Sequence, residues 1–505
     1  MRGRYIALGG FVAVALTVLA AGLGCARPPR TRVVILGLDG LEYNALHRYA
    51  KDLPNLTKLL AEGAHAEMEV TTPIMSPILW TTMASGYPAD VHGVGGWTNG
   101  QGRSFTGADV RVERIWDALS ADGRKSVVSG WLMTWPAGII RGQLLSDRFV
   151  WTLPMSRDED QDVVEGHPQV TTYPDTLATR AAALLPDQAW LDASPLAYQV
   201  KEYGAPSHPL RRDELHLRVF EALWPTSDAE FGAVYLNGAD QVSHIYWPFT
   251  EPEVQREIRL DPGAHKRQVD EILRRHPNHA MPPWGETGLT SDHLGEAAQW
   301  VPDYYRYLDS VLGRVEAVIG PDTTLLVVSD HGFQVSGSKP LVEGQHRGVA
   351  VFAAIGPHVK AGATGKVHVY DVAPTVYALL GLPAAADMPG KVATDLFDVV
   401  PLAPIATRTL ERGVLEVGAG ASAGDQALKS QLEALGYVDE DGKPLSAIGE
   451  SRRKMNVVAD PNAAGGTTPE AAPGSPGGAG PGGAAPPVGT PGGATSPGET
   501  PRRGP

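Results

Sequence analysis

The sequence has one cysteine and no excess of basic charge. The first shortage excludes a disulfide framework, and the second argues against binding to a nucleic acid polymer. A single thiol, Cys25, cannot supply a disulfide framework. The 57 acidic residues outnumber the 43 basic ones, for a formal net charge of −14. Because binding to a nucleic acid polymer requires a basic surface, this balance argues against it. The 505 residues are enough for one large enzyme domain with insertions.

The N-terminal residues 1–25 are predicted to be a signal peptide outside the fold. Arg2 and Arg4 precede an apolar run at residues 6–21, which is short for a membrane-spanning helix. The next four residues, GLGC, resemble the lipobox of bacterial lipoproteins, although its first position usually carries an aliphatic residue. We expect an exported protein, lipidated at Cys25 and anchored in the bacterial cell envelope on its periplasmic or outer side. The alternative is an ordinary signal peptide with a cysteine by chance.

The C-terminal residues 456–505 have too few apolar side chains to form a core. Glycine, proline, alanine, threonine and serine dominate this stretch, which predicts a disordered tail. Residues 401–455 are predicted to be a helical extension, and residues 31–400 the catalytic domain.

The domain alternates between strand and helix patterns. Short apolar runs predict strands at residues 33–38, 66–72, 126–129, 231–236, 325–328 and 349–355. Helical spacing predicts helices at residues 55–62, 79–85, 115–119, 304–319 and 371–380. The alternation predicts an α/β fold, a three-layer sandwich whose mostly parallel sheet carries helices on both faces. The pattern fails at about 150–230 and 248–293, which we interpret as cap-like insertions around the site.

Metal-competent side chains follow several of the predicted strands. Asp39 ends the first strand, and Asp330 with His331 ends the run at 325–328. Asp240 and His244 are spaced i, i+4, which places both on one face of a helix. His346 lies in a glycine-bounded loop before another strand. These six side chains suffice for two metal sites, and a His/Asp set suits zinc without excluding manganese or iron.

A nucleophile is available in Ser76, which stands before a predicted helix with Pro77 in its first turn. There the helix dipole favours an anion. The alternative is that Ser76 serves as a helix N-cap, a role that can coexist with catalysis.

Taken as an ordered set, the motifs resemble the alkaline phosphatase superfamily, and within it the type I phosphodiesterase and nucleotide pyrophosphatase branch. The resemblance runs from about residue 33 to residue 397. The motifs are Leu38-Asp39-Gly40, Ser76-Pro77, TMASGYP at 82–88, His92-Gly93-Val94, Asp240 with His244, Ser329-Asp330-His331-Gly332, His346, DVAPT at 371–375 and GLP at 381–383. The three-layer alkaline phosphatase fold follows as an expectation.

The resemblance also implies roles for these residues. One zinc would be held by Asp39, Ser76, Asp330 and His331, and the second by Asp240, His244 and His346. Ser76 matches the nucleophile, so a small phosphodiester or pyrophosphate would be cleaved through a phospho-serine.

Two aromatic residues depart from the pattern of the branch. Trp97 stands where relatives have an asparagine that binds a phosphate oxygen, and Asn99 lies two residues on, so both are candidate substrate contacts. Trp80 stands where many relatives have histidine.

Three alternatives accompany this interpretation. A phosphomonoesterase or a phosphonate hydrolase of the superfamily would use the same metals. A sulfatase is disfavoured because no arginine follows Ser76-Pro77 nearby. A non-catalytic surface lipoprotein on this fold is the third, and the intact ligand set argues against it.

Overall fold

The structure of the chain is a computed structural model that describes residues 31–152, 170–203, 209–261, 291–335 and 344–409, with single positions at 263, 266, 267 and 274. Cys25, most of the predicted helical extension and the predicted tail therefore lie outside the described residues. The strands are β1 Arg32–Leu38, β2 Ala64–Glu69, β3 Ser126–Ser129, β4 Gly142–Leu145, β5 Thr172–Tyr173, β6 Phe231–Leu236, β7 Thr323–Val328, β8 Gly332–Val335, β9 Gly344–Arg347, β10 Val349–Ile355 and β11 Thr364–His368.

The described α-helices follow the same alternation. They are α1 Tyr43–Arg48, α2 Pro54–Glu62, α3 Ser76–Ser85, α4 Ala89–His92, α5 Ile115–Ala121, α6 Leu177–Ala182, α7 Gln188–Ala193, α8 Ala197–Tyr203, α9 Pro209–Leu223, α10 Gly238–Tyr246, α11 Pro252–Leu260, α12 Ser291–Ile319 and α13 Val372–Leu379. The predicted ends of two helices, at residues 62 and 85, are correct, and Gly63 and Gly86 are the C-cap residues of α2 and α3. Gly86 has a φ of 83°, a conformation that glycine adopts without strain.

Nine strands form one sheet in the order β11-β2-β10-β7-β1-β6-β3-β4-β5. The central strand β1 pairs in parallel with β6 on one side and with β7 on the other. The antiparallel pairs are β10 with β2, β10 with β7, and β4 with β5. The predicted α/β fold with a mostly parallel sheet is thus confirmed, and the carboxyl ends of β1, β6 and β7 meet at one edge.

Helices cover both faces of this sheet because both faces of its central strands are apolar. In β1, Val34 and Leu36 belong to one buried apolar cluster, and Val33 and Ile35 belong to the other. Successive side chains of a strand point to opposite faces, so one short apolar run supplies two cores.

The region predicted as the first insertion contains helices where it is described. Of these, α9 packs against β3 and β6, and Leu217 and Phe220 are fully buried in the core. Helix α12 begins at Ser291, earlier than the predicted start at 304, and continues through Pro302. None of the helices in the described ranges combines the length and apolar character that crossing a membrane requires.

Candidate metal centre

Three neighbouring parallel strands bring carboxylates to one edge of the sheet. Asp39 directly follows β1, Asp330 comes two residues after β7, and Asp240 lies in the first turn of α10, which follows β6. All three carboxylates are buried. The carboxyl edge of such a sheet is where ligands bind in open α/β folds, and it is where these side chains gather.

Helix α10 and strand β9 form one candidate group of metal ligands. The i, i+4 spacing places His244 Nε2 3.4 Å from Asp240 Oδ1, as predicted for one face of a helix. From β9, His346 Nε2 lies 3.2 Å from Asp240 Oδ1 and 3.0 Å from His244 Nε2. The three side chains are close enough to hold one metal ion between them.

A second group forms around His331 and includes Asp39 and Asp240. His331 Nε2 lies 3.4 Å from Asp39 Oδ1, 3.3 Å from Asp330 Oδ2 and 3.6 Å from Asp240 Oδ1. Asp240 Oδ1 therefore faces both groups, whereas the sequence assigned this residue to one of them. The two groups adjoin.

Ser76 lies beside the second group. It is the first residue of α3, and the N-cap of that helix is Met75, so the alternative role of Ser76 as the N-cap is wrong. Its hydroxyl instead faces the cluster, because Oγ lies 3.5 Å from His331 Nε2 and is buried with it. The start of a helix is also the position where its dipole favours an anion.

The electrostatics of the cluster favour bound cations. Asp39 Oδ1 and Asp330 Oδ2 are buried oxygens without a hydrogen-bond partner. Burial, and then the charges of Asp330 and Asp240, hold the pKa of Asp39 well above its ordinary value. Burial raises the pKa of Asp330 to about 7. The pKa of Asp240 is held well below its usual range although burial opposes this, because His244 and His346 stabilise its charge.

The histidines present lone pairs to the same place. Burial and the neighbouring His346 lower the pKa of His331 well below its usual value, which keeps its ring neutral. His331 Nδ1 lies 3.3 Å from Gly332 O, and His346 Nδ1 lies 3.2 Å from Ile74 O. A backbone acceptor at Nδ1 leaves Nε2 as the metal-binding nitrogen. The neutral ring of His331, the Nε2 atoms of the other two histidines and the buried carboxylate oxygens are a donor set that fits divalent metal ions such as zinc.

Two side chains that the sequence did not assign to the site support Asp39. Trp80 Nε1 and the Tyr235 hydroxyl both donate to Asp39 Oδ2, at 2.9 Å and 2.5 Å. This leaves Oδ1 directed at the centre. Trp80 stands four residues after Ser76 on the same helix, and that spacing was the signal available in the sequence.

The two candidate substrate contacts lie in one hairpin, in which Thr98 pairs with Ser104. Asn99 Oδ1 accepts from the backbone N–H groups of Gln101 and Arg103, at 2.9 Å and 3.0 Å, so this oxygen organises its own turn. Trp97 packs against the apolar cluster that contains Ile35. A substrate role for Trp97 or Asn99 stays a prediction.

Two further buried residues near the site have structural contacts. His92 orders a turn: its Nδ1 accepts from Val94 N at 3.1 Å, and burial lowers its pKa to about 4. Trp131 is buried edge-to-face against Trp80 and Trp116, so it packs in the core.

One family model matches more than half of the chain, and the solved structures that resemble it include two remote relatives. The family model for type I phosphodiesterases / nucleotide pyrophosphatases matches residues 33–344, more than half of the chain. Human ectonucleotide pyrophosphatase / phosphodiesterase 5 is similar with a TM-score of 0.41 and 12% identity, over 73% of this chain and 100% of that one. The murine protein of the same name, an inactive variant in complex with AMP, gives 0.40 and 12% over the same shares. No curated protein sequence matches.

Proposed function

Because the chain belongs to the type I phosphodiesterase / nucleotide pyrophosphatase family of the alkaline phosphatase superfamily, we propose that it cleaves phosphodiester or pyrophosphate bonds in small substrates with two divalent metal ions, zinc first. One observation carries the proposal: a buried serine hydroxyl at a helix start lies 3.5 Å from a neutral histidine within a cluster of buried carboxylates. A nucleophile and an oxygen- and nitrogen-rich metal site at one place are what two-metal phosphoryl transfer needs.

The proposed division of ligands follows the two groups. Asp240, His244 and His346 would hold one ion. Asp39, Asp330, His331 and Ser76 would hold the other, with Asp240 Oδ1 close enough to both to balance their charges.

The chemistry is carried by Ser76. Bound metals would lower the pKa of the Ser76 hydroxyl and neutralise the charge that develops on the leaving oxygen. Ser76 Oγ attacks phosphorus, the bond from phosphorus to the leaving oxygen breaks, and the phosphoryl group is transferred to Ser76. Water then cleaves the bond between phosphorus and Oγ, which restores the serine. Trp80 and Tyr235 hold Asp39 in place throughout.

Metal removal and a substrate panel test this function. Chelation is expected to abolish hydrolysis, and added zinc is expected to restore it. The reason is that zinc supplies the positive charge that the buried carboxylates facing one another need. The panel comprises bis-nitrophenyl phosphate, a dinucleotide, nitrophenyl phosphate and a phenylphosphonate ester. Hydrolysis of the first two in preference to the others supports the proposal, and full activity in chelator contradicts it.

A phosphomonoesterase or phosphonate hydrolase is the second candidate, and Asn99 supplies the observation that favours it. The oxygen of this side chain is committed to its own turn, next to the position where diesterase relatives place a phosphate-binding asparagine. Preferential hydrolysis of nitrophenyl phosphate or of the phosphonate ester selects this candidate. A non-catalytic surface lipoprotein is disfavoured because all seven predicted ligands are buried together.

We also propose that the enzyme is exported and membrane-anchored through a lipid on Cys25. The N-terminal sequence alone supports this, and Cys25 lies outside the described residues. A Cys25→Ser variant is expected to leave the membrane fraction while keeping its specific activity. Unchanged membrane association of that variant contradicts anchoring through Cys25.

A further inference from the structure

Glu42 is a buried carboxylate three residues after Asp39, and the proposed chemistry does not use it. It is the N-cap of α1, where Oε1 accepts from Asn44 N at 3.1 Å. Only 2% of the residue is exposed. Capping a helix of six residues on the surface of the sheet needs one oxygen of a short side chain, so burial of a full glutamate requires a further reason.

The other contacts of Glu42 reach two more ligand-bearing segments. Oε2 accepts from Phe333 N at 3.1 Å, two residues after His331. Oε1 also accepts from the guanidinium of Arg347, the neighbour of His346. In the pairing of β8 with β9, Gly332 lies opposite Arg347, and Phe333 lies opposite His346. One carboxylate thus joins the strands that follow Asp330 and contain His346.

The glycine of the Asp-His-Gly motif makes room for this carboxylate. A Cβ at Gly332 would lie 1.8 Å from Glu42 Oε2, so a side chain there would displace the glutamate. The residue after His331 is therefore a glycine that leaves space for the carboxylate of Glu42.

The backbone of Glu42 is fixed as well. Its N–H donates to the Tyr305 hydroxyl at 2.9 Å, and this hydroxyl lies 3.5 Å from Gly40 O. Tyr305 is fully buried in α12. The turn from Asp39 to Glu42 is thus held from the backbone by α12 and from the side chain by β8 and β9.

We infer that Glu42 is a positioning residue for the metal centre. Glu42 holds the three segments that carry Asp39, Asp330-His331 and His346 at fixed positions relative to one another. The inference rests on the proposed two-metal function. Glu42 acts through its contacts with backbone and Arg347, outside the ligand set. Such outer contacts fix ligand orientation, and their loss typically weakens metal affinity about 10- to 100-fold.

The test compares zinc affinity in full-length variants. Glu42→Gln keeps the size of the side chain but turns one acceptor into an amide NH₂, which then faces either Phe333 N or Arg347. Glu230→Gln is the matched control, because Glu230 forms an ion pair with buried Arg124 at the opposite end of the sheet, 2.7 Å apart. Zinc affinity is measured by competition with a chromophoric chelator, the ligand geometry by the visible spectrum with cobalt, and the stability of the metal-free protein by thermal unfolding.

Glu42→Gln is expected to weaken zinc binding about 10- to 100-fold and to alter the cobalt spectrum. Glu230→Gln is expected to lower the melting temperature while leaving both metal readouts unchanged. If Glu42→Gln prevents folding, Arg347→Gln, which alters a partly exposed side chain, must reproduce the metal defect. Wild-type affinity and spectrum in the folded variant overturn the inference and leave the proposed function standing. Failure of the wild-type protein to bind zinc or cobalt overturns the proposed function and the inference with it.

Discussion

Trp80 donates its indole N–H to Asp39 Oδ2 at 2.9 Å, and both residues are buried. The approach is close because Gly37, inside β1, has no side chain: a Cβ there would lie 2.6 Å from the Trp80 ring. Trp80 thus holds one carboxylate oxygen of the candidate ligand Asp39 and leaves the other, Oδ1, directed at the cluster. This departure of Trp80 from the pattern that the resemblance implied is consistent with the proposed metal site.

Replacing Trp80 with phenylalanine should remove this donor while keeping an aromatic ring against Trp131. A hydrogen bond to a charged group contributes about 1.5–3 kcal/mol, so we expect kcat/KM to fall about tenfold or more. Trp116→Phe is the control, because the Trp116 indole N–H is buried without a hydrogen-bond partner. Equal losses of kcat/KM in the two variants would show that ring packing, and not the bond to Asp39, is responsible.

Asp213 supports the helix that carries Asp240 and His244. Its two oxygens accept from Asn237 N at 3.1 Å and from Gly238 N at 3.0 Å, at the start of α10. We expect Asp213→Asn to destabilise the fold by about 1–3 kcal/mol and also to weaken zinc binding, because a donor then faces those N–H groups.

Asp309→Asn provides the comparison for Asp213. Asp309 is a buried carboxylate that accepts from Leu56 N at 2.8 Å in α2, a helix that carries none of the candidate ligands. The Asp309→Asn variant should have a lower free energy of unfolding in denaturant titrations, but its zinc affinity in the chelator competition should equal that of the wild type. A zinc affinity that is unchanged in Asp213→Asn would refute the positioning role.

The stability of the metal-free protein should fall with rising pH through a contribution from Asp330. Burial raises its pKa from 3.8 to about 7, so between these values the folded state binds a proton that the unfolded state has lost. The free energy of unfolding then decreases as pH rises, by up to about 1.4 kcal/mol per pH unit, and levels off above the folded pKa.

The contribution of Asp330 to the pH dependence of stability is obtained as the difference between the wild type and Asp330→Asn, because His331 contributes in the opposite direction. The pKa of His331 is lowered by burial, so its contribution makes the folded state more stable as pH rises towards 6.5. Denaturant titrations of the metal-free wild type and of Asp330→Asn between about pH 4 and 8 should diverge most at the alkaline end, where the variant is relatively more stable. Parallel curves would mean that Asp330 has no raised pKa in the fold.

Zinc should stabilise the Ser76→Ala variant almost as much as the wild type. Six of the seven proposed ligands remain, and a ligand at about 100 times its dissociation constant contributes about 2.7 kcal/mol to stability. Turnover should nevertheless be lost with the Oγ nucleophile. Thermal unfolding with and without zinc, alongside hydrolysis of bis-nitrophenyl phosphate, separates the two properties. A turnover rate near that of the wild type would reject Ser76 as the nucleophile.

The sequence predicted the central sheet well because its strands are short apolar runs in local sequence. The predicted boundaries of β3, β6 and β10 match the structure, and the predicted helix that carries the i, i+4 pair Asp240 and His244 is present as α10. Asp39, Asp330 and His331 were accessible for the same reason, because each follows a strand, and parallel strands bring their carboxyl ends to one edge. His346 differs: the sequence predicted a glycine-bounded loop there, and the structure has strand β9.

What the sequence by itself determined is the kind of sheet and the side chains available at its edge. Only the tertiary structure decided which side chains support them. Asp39 meets Trp80 across 41 residues and Tyr235 across 196, while Glu42 meets Arg347 across 305. Contacts between segments so far apart depend on the relative placement of strands and helices, and no local period in the sequence encodes that placement.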